Sequence, residues 1–428
     1  MSTVHARVWR FTVEKGPNGP EAVRAVEVGQ GPIPVSLAAL VNINALACDL
    51  RRTVDQRVRD HEISLLLSYL SGDTGTRPLA VDCGALDSSS GHIRRFVSEC
   101  TGLGVMTAAS ETLFDWKSGT DGLSSFDVLP DKLVGAYAST GVRPDLLYDL
   151  AAGPLAGEAR GRRRDAKQML PAVKGTADQR KRLEKLATWS AEHGDHDYFM
   201  SWVWLGTGGV YVDIFLPEDS PATAGLKTGW IEKPGSQQPW RFRVPRPEPR
   251  RRSEAGQEDG LDQSFLVDES GTDAPGMTVA DDLVPTASSR DIVLSVKGQL
   301  SPLEQFEADF PGMAASAGGT RADRAHRMVE AAMDRAFGRE EDQLGKLEGV
   351  PVRGTWVRAD AVGPARHEVL VGVLGERVPV DLRAQRRRLE AGASHRLDLV
   401  LEGRLLTLVH PVGEPRPSWG RIAEDALG

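Results

Sequence analysis

Two predicted hairpins separated by one helix, all within residues 143–216, constrain the fold of this 428-residue chain more than any other feature. The segments RPDLLYDL (143–150) and PLAGEARG (154–161) predict two strands joined by a tight turn. Further along, YFMSWVWL (198–205) and VYVDIFL (210–216) predict a second hairpin, which the intervening GTGG closes. Strands and a helix in this order predict a domain of the α+β class.

The helix between the two hairpins has recognisable ends. Thr176 and Gln179 have the spacing of a capping box, in which the two side chains satisfy backbone donors at the start of a helix. Gly194 stands where a glycine that ends a helix is expected. Between these ends, Leu183 and Leu186 predict a narrow buried face.

The N-terminal part of the chain mixes both kinds of element. VHARVWRFTV (4–13) roughly alternates apolar and polar residues, which predicts a half-buried strand. Apolar positions at helical spacing predict one or two helices within 36–70 and another helix over 91–116. Between them, RPLAVDCGAL (77–86) predicts a short buried strand. We therefore expect residues 1–90 to form an N-terminal α/β region.

The character of the sequence changes after the second hairpin. Residues 239–290 are rich in proline and charge, which predicts a largely disordered linker. Residues 303–347 predict helices, and a series of short apolar segments in 350–412 predicts a small antiparallel β-barrel or sandwich. The predicted boundaries are 1–90 for the N-terminal region, 91–217 for the middle domain, 218–290 for an extension and linker, 291–349 for a helical segment and 350–428 for the C-terminal domain.

Charge is distributed unevenly along the chain. The whole sequence has a net charge of -8 and a pI near 5.7, which argues against a general affinity for polyanions. Residues 143–185, in contrast, contain eleven basic and six acidic residues, a local net charge of +5. A basic island of this kind is typical of a surface that follows nucleic-acid phosphates.

Cysteine usage and hydropathy point to a compartment. Cys48, Cys83 and Cys100 match no CxxC spacing, which favours reduced thiols over disulfides or a structural zinc site. The start, MSTVHARVWRF, has no apolar leader run, and no run reaches the roughly 18 apolar residues that a membrane span needs. We therefore expect a cytoplasmic protein without a membrane partner.

The first hairpin brings two acids together if it turns between Ala151 and Ala152, because paired residue numbers then sum to 303. In that register Asp145 faces Glu158 directly, and Arg160 lies on the same face as Glu158. A slip of one residue would put the two acids on opposite faces. Like charges directly opposite each other destabilise a sheet, so the pair predicts a bound divalent cation, and oxygen ligands favour Mg²⁺.

The dipeptide PD at 144–145 and the tripeptide EAR at 158–160 resemble the motif of the restriction-endonuclease-like, or PD-(D/E)xK, nuclease family. The helix before the hairpin, the helix after it and the further strand are similar to the family's αβββαβ order. This resemblance covers roughly residues 91–216. It implies a restriction-endonuclease-like middle domain that hydrolyses phosphodiester bonds in DNA with Mg²⁺ or Mn²⁺, in genome defence or DNA processing.

The resemblance also implies roles for individual residues. Asp145 and Glu158 hold the metal, and Glu99 on the preceding helix assists. Arg160 contacts the scissile phosphate and completes the predicted catalytic set. Gln179, at the start of the following helix, supports the site. The basic island supplies the residues predicted to bind nucleic acid, which are Arg143, Arg162, Arg163, Arg164 and Lys167.

Arginine at position 160 replaces the lysine of the family's motif. Because arginine is a planar fork that stays charged, Arg160 can clamp a phosphate but is poor at assisting proton transfer. Three interpretations stay open: Arg160 is a tolerated variant, Lys167 supplies the ammonium group, or the domain binds without cutting. The last of these makes the chain a non-catalytic nucleic-acid-binding or scaffold subunit, with protein partners at its C-terminal domain. A purely structural hairpin with solvated charges is the simplest alternative.

Two tryptophans of the second hairpin share one environment. Met200, Trp202 and Trp204 fall on one face of their predicted strand. Burial in the core and stacking on a nucleic-acid base both explain this arrangement.

Overall fold

The structure is a computed structural model of the whole chain. It describes residues 2–14, 22–47, 56–71, 78–114, 116, 123–126, 142–150, 153–164, 177–220, 240–241, 343–359, 367–376, 378 and 397–427. All of these belong to one compact unit, formed by Met1–Phe242 together with Pro302–Gly428. A second unit, Arg243–Ser301, lies outside the described residues.

The described residues form helices and strands of the α+β class. The strands are β1 (Ser2–Glu14), β2 (Ala22–Val35), β3 (Leu70–Ser71), β4 (Ala80–Val81), β5 (Leu123–Ser125), β6 (Leu146–Leu150), β7 (Gly153–Arg163), β8 (Tyr198–Gly206), β9 (Gly209–Pro217), β10 (Trp240–Arg241), β11 (Gln343–Leu347), β12 (Val350–Ala359), β13 (His367–Leu374), β14 (Asp398–Glu402) and β15 (Leu405–Pro411). The helices are α1 (Leu37–Ala47), α2 (Gln56–Tyr69), α3 (Cys83–Ser88), α4 (Gly91–Leu113), α5 (Ala177–Glu192) and α6 (Trp419–Leu427).

The larger sheet is mixed and has the strand order β10-β2-β1-β9-β8-β7-β6-β5. Neighbours are antiparallel except for β1 with β9 and β7 with β8, which are parallel. The crossover from β7 to β8 includes α5, as parallel neighbours require a long connection. Since β1 and β2 extend the same sheet, the predicted segments 1–90 and 91–217 contribute to one structure.

Both predicted hairpins are confirmed. β8 and β9 pair antiparallel as far as Gly206 and Gly209. β6 and β7 pair with Leu146 opposite Gly157, which is the predicted register with paired numbers summing to 303. The first strand begins at Leu146 rather than at residue 143, so Asp145 lies just before it.

Two helices cover opposite faces of the sheet at β7. α4 packs on one face through Val97, Val105 and Met106, and the apolar side of α5 packs on the other. The approach of α4 is so close that a Cβ atom added at Gly161 would lie 1.6 Å from the carbonyl oxygen of Ser98. Glycine therefore lets the helix and the strand meet backbone to backbone, which fixes α4 against the candidate site strand.

The C-terminal strands form an open antiparallel sheet in the order β11-β12-β13-β15-β14. The predicted barrel or sandwich is wrong in this respect, because the described strands do not close on themselves. One face of the sheet packs against α6, and the other packs against the N-terminal helices, α1 above all. Asn42 of α1 donates to Thr407 Oγ1 at 3.1 Å, and Asp398 accepts from the backbone N–H of Leu37 at 3.0 Å. Residues 350–428 therefore contribute to the same compact unit as the N-terminal sheet.

Two further predictions of secondary structure are corrected. Within 77–86 only Ala80–Val81 is a strand, because the carboxylate of Asp82 accepts from the N–H of Ala85 at 2.9 Å and starts α3. Residues 343–347, predicted as the end of a helical segment, form β11, since pairing with β12 overrides the local preference. The rest of the predicted helical segment, and all of the predicted linker apart from β10, lie outside the described residues.

Candidate active site

The candidate site lies on the face of β7 that α5 covers. Side chains alternate along the strand, so Glu158 and Arg160 point toward α5. Arg163 points the other way and forms a two-fold ion pair with Asp87 of α3, at 2.8 and 2.6 Å. The site therefore sits between a strand and a helix rather than on an open sheet surface.

Glu158 is the most buried charged residue of the site. Its side chain is 0% exposed, and its Oε1 atom accepts from Arg182 Nε at 2.7 Å and lies 2.9 Å from Arg160 Nε. A second guanidinium nitrogen of Arg182, Nη2, also donates to Oε1. The other oxygen, Oε2, is buried, and none of the described residues donates a hydrogen bond to it. Two guanidinium groups thus hold one oxygen of the carboxylate, while the second has no such contact with the described residues.

Asp145 lies across from Glu158 at the start of the hairpin. Its backbone N–H donates to the carbonyl of Gly157 at 2.9 Å, which continues the β6–β7 ladder. The side chain is partly buried, and its Oδ2 atom accepts from the N–H of Ala159 at 2.7 Å. Its Oδ1 atom accepts no hydrogen bond in the described part of the chain. The register observed at Leu146 and Gly157 is the predicted one, and the charge of Glu158 acts on the carboxyl group of Asp145.

Both carboxyl groups are held in an environment that disfavours their charge. Burial raises the pKa of Asp145 well above its ordinary value, and the charge of Glu158 raises it further. The N–H of Ala159 and the two arginines lower it by less. Burial also raises the pKa of Glu158, against the lowering effect of Arg160 and Arg182. Pairs of acids with perturbed pKa values are concentrated at functional sites, because such an arrangement costs stability.

Arg182 is a site residue that sequence reasoning missed. It belongs to α5, whose Leu183 and Leu186 face the sheet. Gln179, the predicted supporting residue, is also on α5 and is buried. Because residues three apart on a helix share one face, the position of Gln179 was a usable signal for Arg182. The signal was obscured by the neighbouring run of basic residues, which is typical of a solvated helix.

Not all of the predicted site residues lie together in the structure. Glu99 forms an ion pair with Arg95, 2.9 Å away on the same helix. Among the described residues, no group of three or more His, Cys, Asp and Glu side chains is arranged to hold a metal ion, so Glu99 does not complete a metal site with the two acids. Arg143 is exposed next to Asp145, whereas Lys167 and the capping residue Thr176 lie outside the described residues.

Oδ1 of Asp145 and Oε2 of Glu158 are of the donor type that Mg²⁺ and Mn²⁺ prefer. Mg²⁺ is usually held in proteins by one or two carboxylates and keeps several of its waters, so a third acid is not required. The residues present therefore fit such an ion in the type of their donor atoms. The observation that bears on this fit is the buried Oε2 atom, to which no described residue donates a hydrogen bond.

Comparison with known proteins identifies no relative. The sequence matches no protein-family model, and neither curated proteins nor solved structures give a significant match. None of the described helices combines the length and the apolar character needed to cross a membrane.

The raised pKa of Asp145 predicts how stability changes with pH. The folded state holds this proton more tightly than the unfolded state, so the stability linked to Asp145 is present below the unfolded pKa of about 4 and is lost as pH rises through the folded pKa. We expect Asp145→Asn, which keeps an oxygen for the N–H of Ala159, to be more stable than the wild type at neutral pH. The gain should shrink toward pH 4 in urea unfolding. Asp149→Asn, an exposed change on β6, should show no such trend. An Asp145→Asn variant that is less stable than the wild type at neutral pH would contradict the argument.

Proposed function

We propose that this chain is a metal-dependent nuclease that hydrolyses phosphodiester bonds in DNA. The observation that carries the proposal is the buried Oε2 atom of Glu158, to which no described residue donates a hydrogen bond, next to a second acid, Asp145. A buried carboxylate without a full set of partners is costly, and apolar residues would fill the same space at no loss of stability. A bound cation would supply the missing partner of this carboxylate.

The order of elements around the acids supports the same proposal. Among the described residues, α4 is followed along the chain by β5, β6, β7, α5 and β8. The three strands β5, β6 and β7 are antiparallel neighbours, and β8 lies parallel to β7. This is the αβββαβ order that the PD-(D/E)xK resemblance implies, with the two acids at the start of the second strand and in the middle of the third. The fold assignment to that family is part of the proposal.

In this proposal Asp145 and Glu158 hold Mg²⁺ or Mn²⁺. The bound metal supplies an activated water and stabilises charge on a phosphoryl oxygen. Arg160 reaches the same place from β7, with a side chain that is 20% exposed, and can contact the scissile phosphate. Arg182 orients the carboxylate of Glu158 from α5 and so keeps Oε2 directed away from the arginines.

A non-catalytic nucleic-acid-binding or scaffold subunit is the second candidate. It is favoured by the two arginines on Glu158 Oε1, which offset the buried negative charge without any metal. The two candidates differ in what the site binds. A nuclease requires a divalent cation at the two acids, whereas a binding subunit does not.

The test is cleavage of DNA, single-stranded as well as plasmid, by the full-length protein. We expect nicking or cutting with Mg²⁺ or Mn²⁺ and none with EDTA, and Mn²⁺ should bind the protein at one site in calorimetry. Ca²⁺ should bind without supporting the reaction. Absence of both cleavage and Mn²⁺ binding would remove the nuclease proposal and leave the binding subunit.

A further inference from the structure

A row of arginines leads away from the two acids along β7. Side chains alternate along the strand, so every second residue faces the α5 side and the others face α3 and α4. The residues on the α5 side are Glu158, Arg160, Arg162 and Arg164. Alternate residues on a strand are about 6.6 Å apart. This spacing is comparable to that of successive phosphates in an extended nucleic-acid strand.

Tryptophan rings hold two of these arginines in place. The guanidinium carbon of Arg162 lies 5.7 Å from the ring centre of Trp202, and that of Arg164 lies 4.7 Å from the ring centre of Trp204. Both tryptophans are on β8 and are buried, whereas both arginines are only partly buried. The rings therefore lie beneath the cations as a rigid support, which lowers the entropy lost when a phosphate binds.

The neighbouring acid, Asp213 of β9, is engaged by residues outside the row. It accepts from Arg7 Nε and Nη2, at 2.8 and 2.9 Å. It also accepts from the indole N–H groups of Trp9 and Trp204, at 3.0 and 2.8 Å. The indole N–H of Trp202, in contrast, is buried, and no described residue accepts a hydrogen bond from it. A buried hydrogen-bond donor thus lies beside the arginine row.

We propose that Arg160, Arg162 and Arg164, supported by Trp202 and Trp204, bind the backbone of a single-stranded nucleic acid and lead it to Glu158. The choice of a single strand rests on burial: Glu158 is 0% exposed, and the side chains of Arg160 and Arg182 are only 20% and 19% exposed. A flexible single strand can bring a phosphate to so enclosed a carboxylate more readily than a rigid duplex can. The functional role of the arginine row builds on the proposed nuclease site, but its binding of nucleic acid does not require metal.

The experiment measures binding without cleavage. Fluorescence anisotropy of a labelled oligothymidine of about 16 nucleotides is recorded with the full-length protein in EDTA at several salt concentrations. We expect Arg162→Gln and Arg164→Gln each to weaken binding about tenfold and to reduce the slope of log affinity against log salt by about 0.7. Arg94→Gln is the control, because this arginine is exposed on α4, which packs on the other face of the sheet.

Three results would overturn the proposal: no binding by the wild type, equal losses in all three variants, or tighter binding of a duplex of the same length. Because EDTA is present, failure here is distinct from failure of metal-dependent cleavage. If a glutamine variant unfolds at a lower temperature than the wild type, crosslinking tests the proposal instead. A bromouracil oligonucleotide irradiated with the wild-type protein should label peptides within 198–206. Labelling confined to other segments would contradict the proposal.

Discussion

Asp145→Asn and Glu158→Gln are each expected to lower Mg²⁺-dependent cleavage of DNA by about 10³-fold. A metal that stabilises phosphoryl charge lowers the free energy of the transition state by several kcal/mol, and this stabilisation is lost with the metal. Each 1.36 kcal/mol is about a factor of ten in rate. Both substitutions keep the shape of the side chain, so the loss reports on charge and metal binding rather than on packing. Single-turnover cleavage with saturating enzyme is the appropriate measurement.

The controls for this experiment come from the same hairpin and from α4. Asp149→Asn changes an exposed acid of β6, and Glu99→Gln changes an acid that pairs with Arg95. Both should cleave at close to the wild-type rate. The binding of an oligonucleotide in EDTA should also survive in Asp145→Asn. Unchanged cleavage in both active-site variants would show that the two acids are not the site, even if the protein cuts DNA.

Asp213→Ala is expected to reduce the free energy of unfolding by about 3–5 kcal/mol. The substitution removes the buried carboxylate that pairs with Arg7, whose side chain is 15% exposed, and with it the acceptor of two indole N–H groups, those of Trp9 and Trp204. Breaking a buried ion pair from one side is among the most destabilising single changes, because the remaining charge stays desolvated.

Urea unfolding followed by tryptophan fluorescence measures this effect. Asp219→Ala, an exposed change just after β9, is the control and should alter stability by less than about 0.5 kcal/mol. Asp213→Asn should fall between the wild type and the alanine variant, since it keeps acceptor capacity but loses the charge. An alanine variant as stable as the control would mean that the network around Asp213 contributes nothing.

The parts of the fold that depend on neighbouring residues could be predicted from the sequence. The register assumed for β6 and β7, with a turn between Ala151 and Ala152, is the one observed, with Leu146 opposite Gly157. α4 was expected over 91–116 and spans Gly91–Leu113. These elements are specified locally, by turn residues and by apolar spacing.

The parts of the fold that depend on residues far apart in the sequence could not be predicted from it. Nothing in the sequence indicates that Asp213, which interrupts an apolar strand, meets Arg7 across a parallel pairing of β1 with β9. The burial of Glu158 was hidden for a similar reason, because a glutamate among arginines resembles a solvated charge until α5 is placed over it. Arg182 reaches the site only through that tertiary contact, 24 residues along the chain from Glu158.

The contact between α1 and the C-terminal sheet has a consequence for the synthesis of this protein. Asp398 satisfies the first turn of α1 through Ser36 and the N–H of Leu37, and Asn42 bonds to Thr407, so these partners are more than 360 residues apart. The ribosome therefore releases α1 long before its capping carboxylate exists. The N-terminal strands can pair early, but α1 acquires these partners only after residues 398–407 have been synthesised.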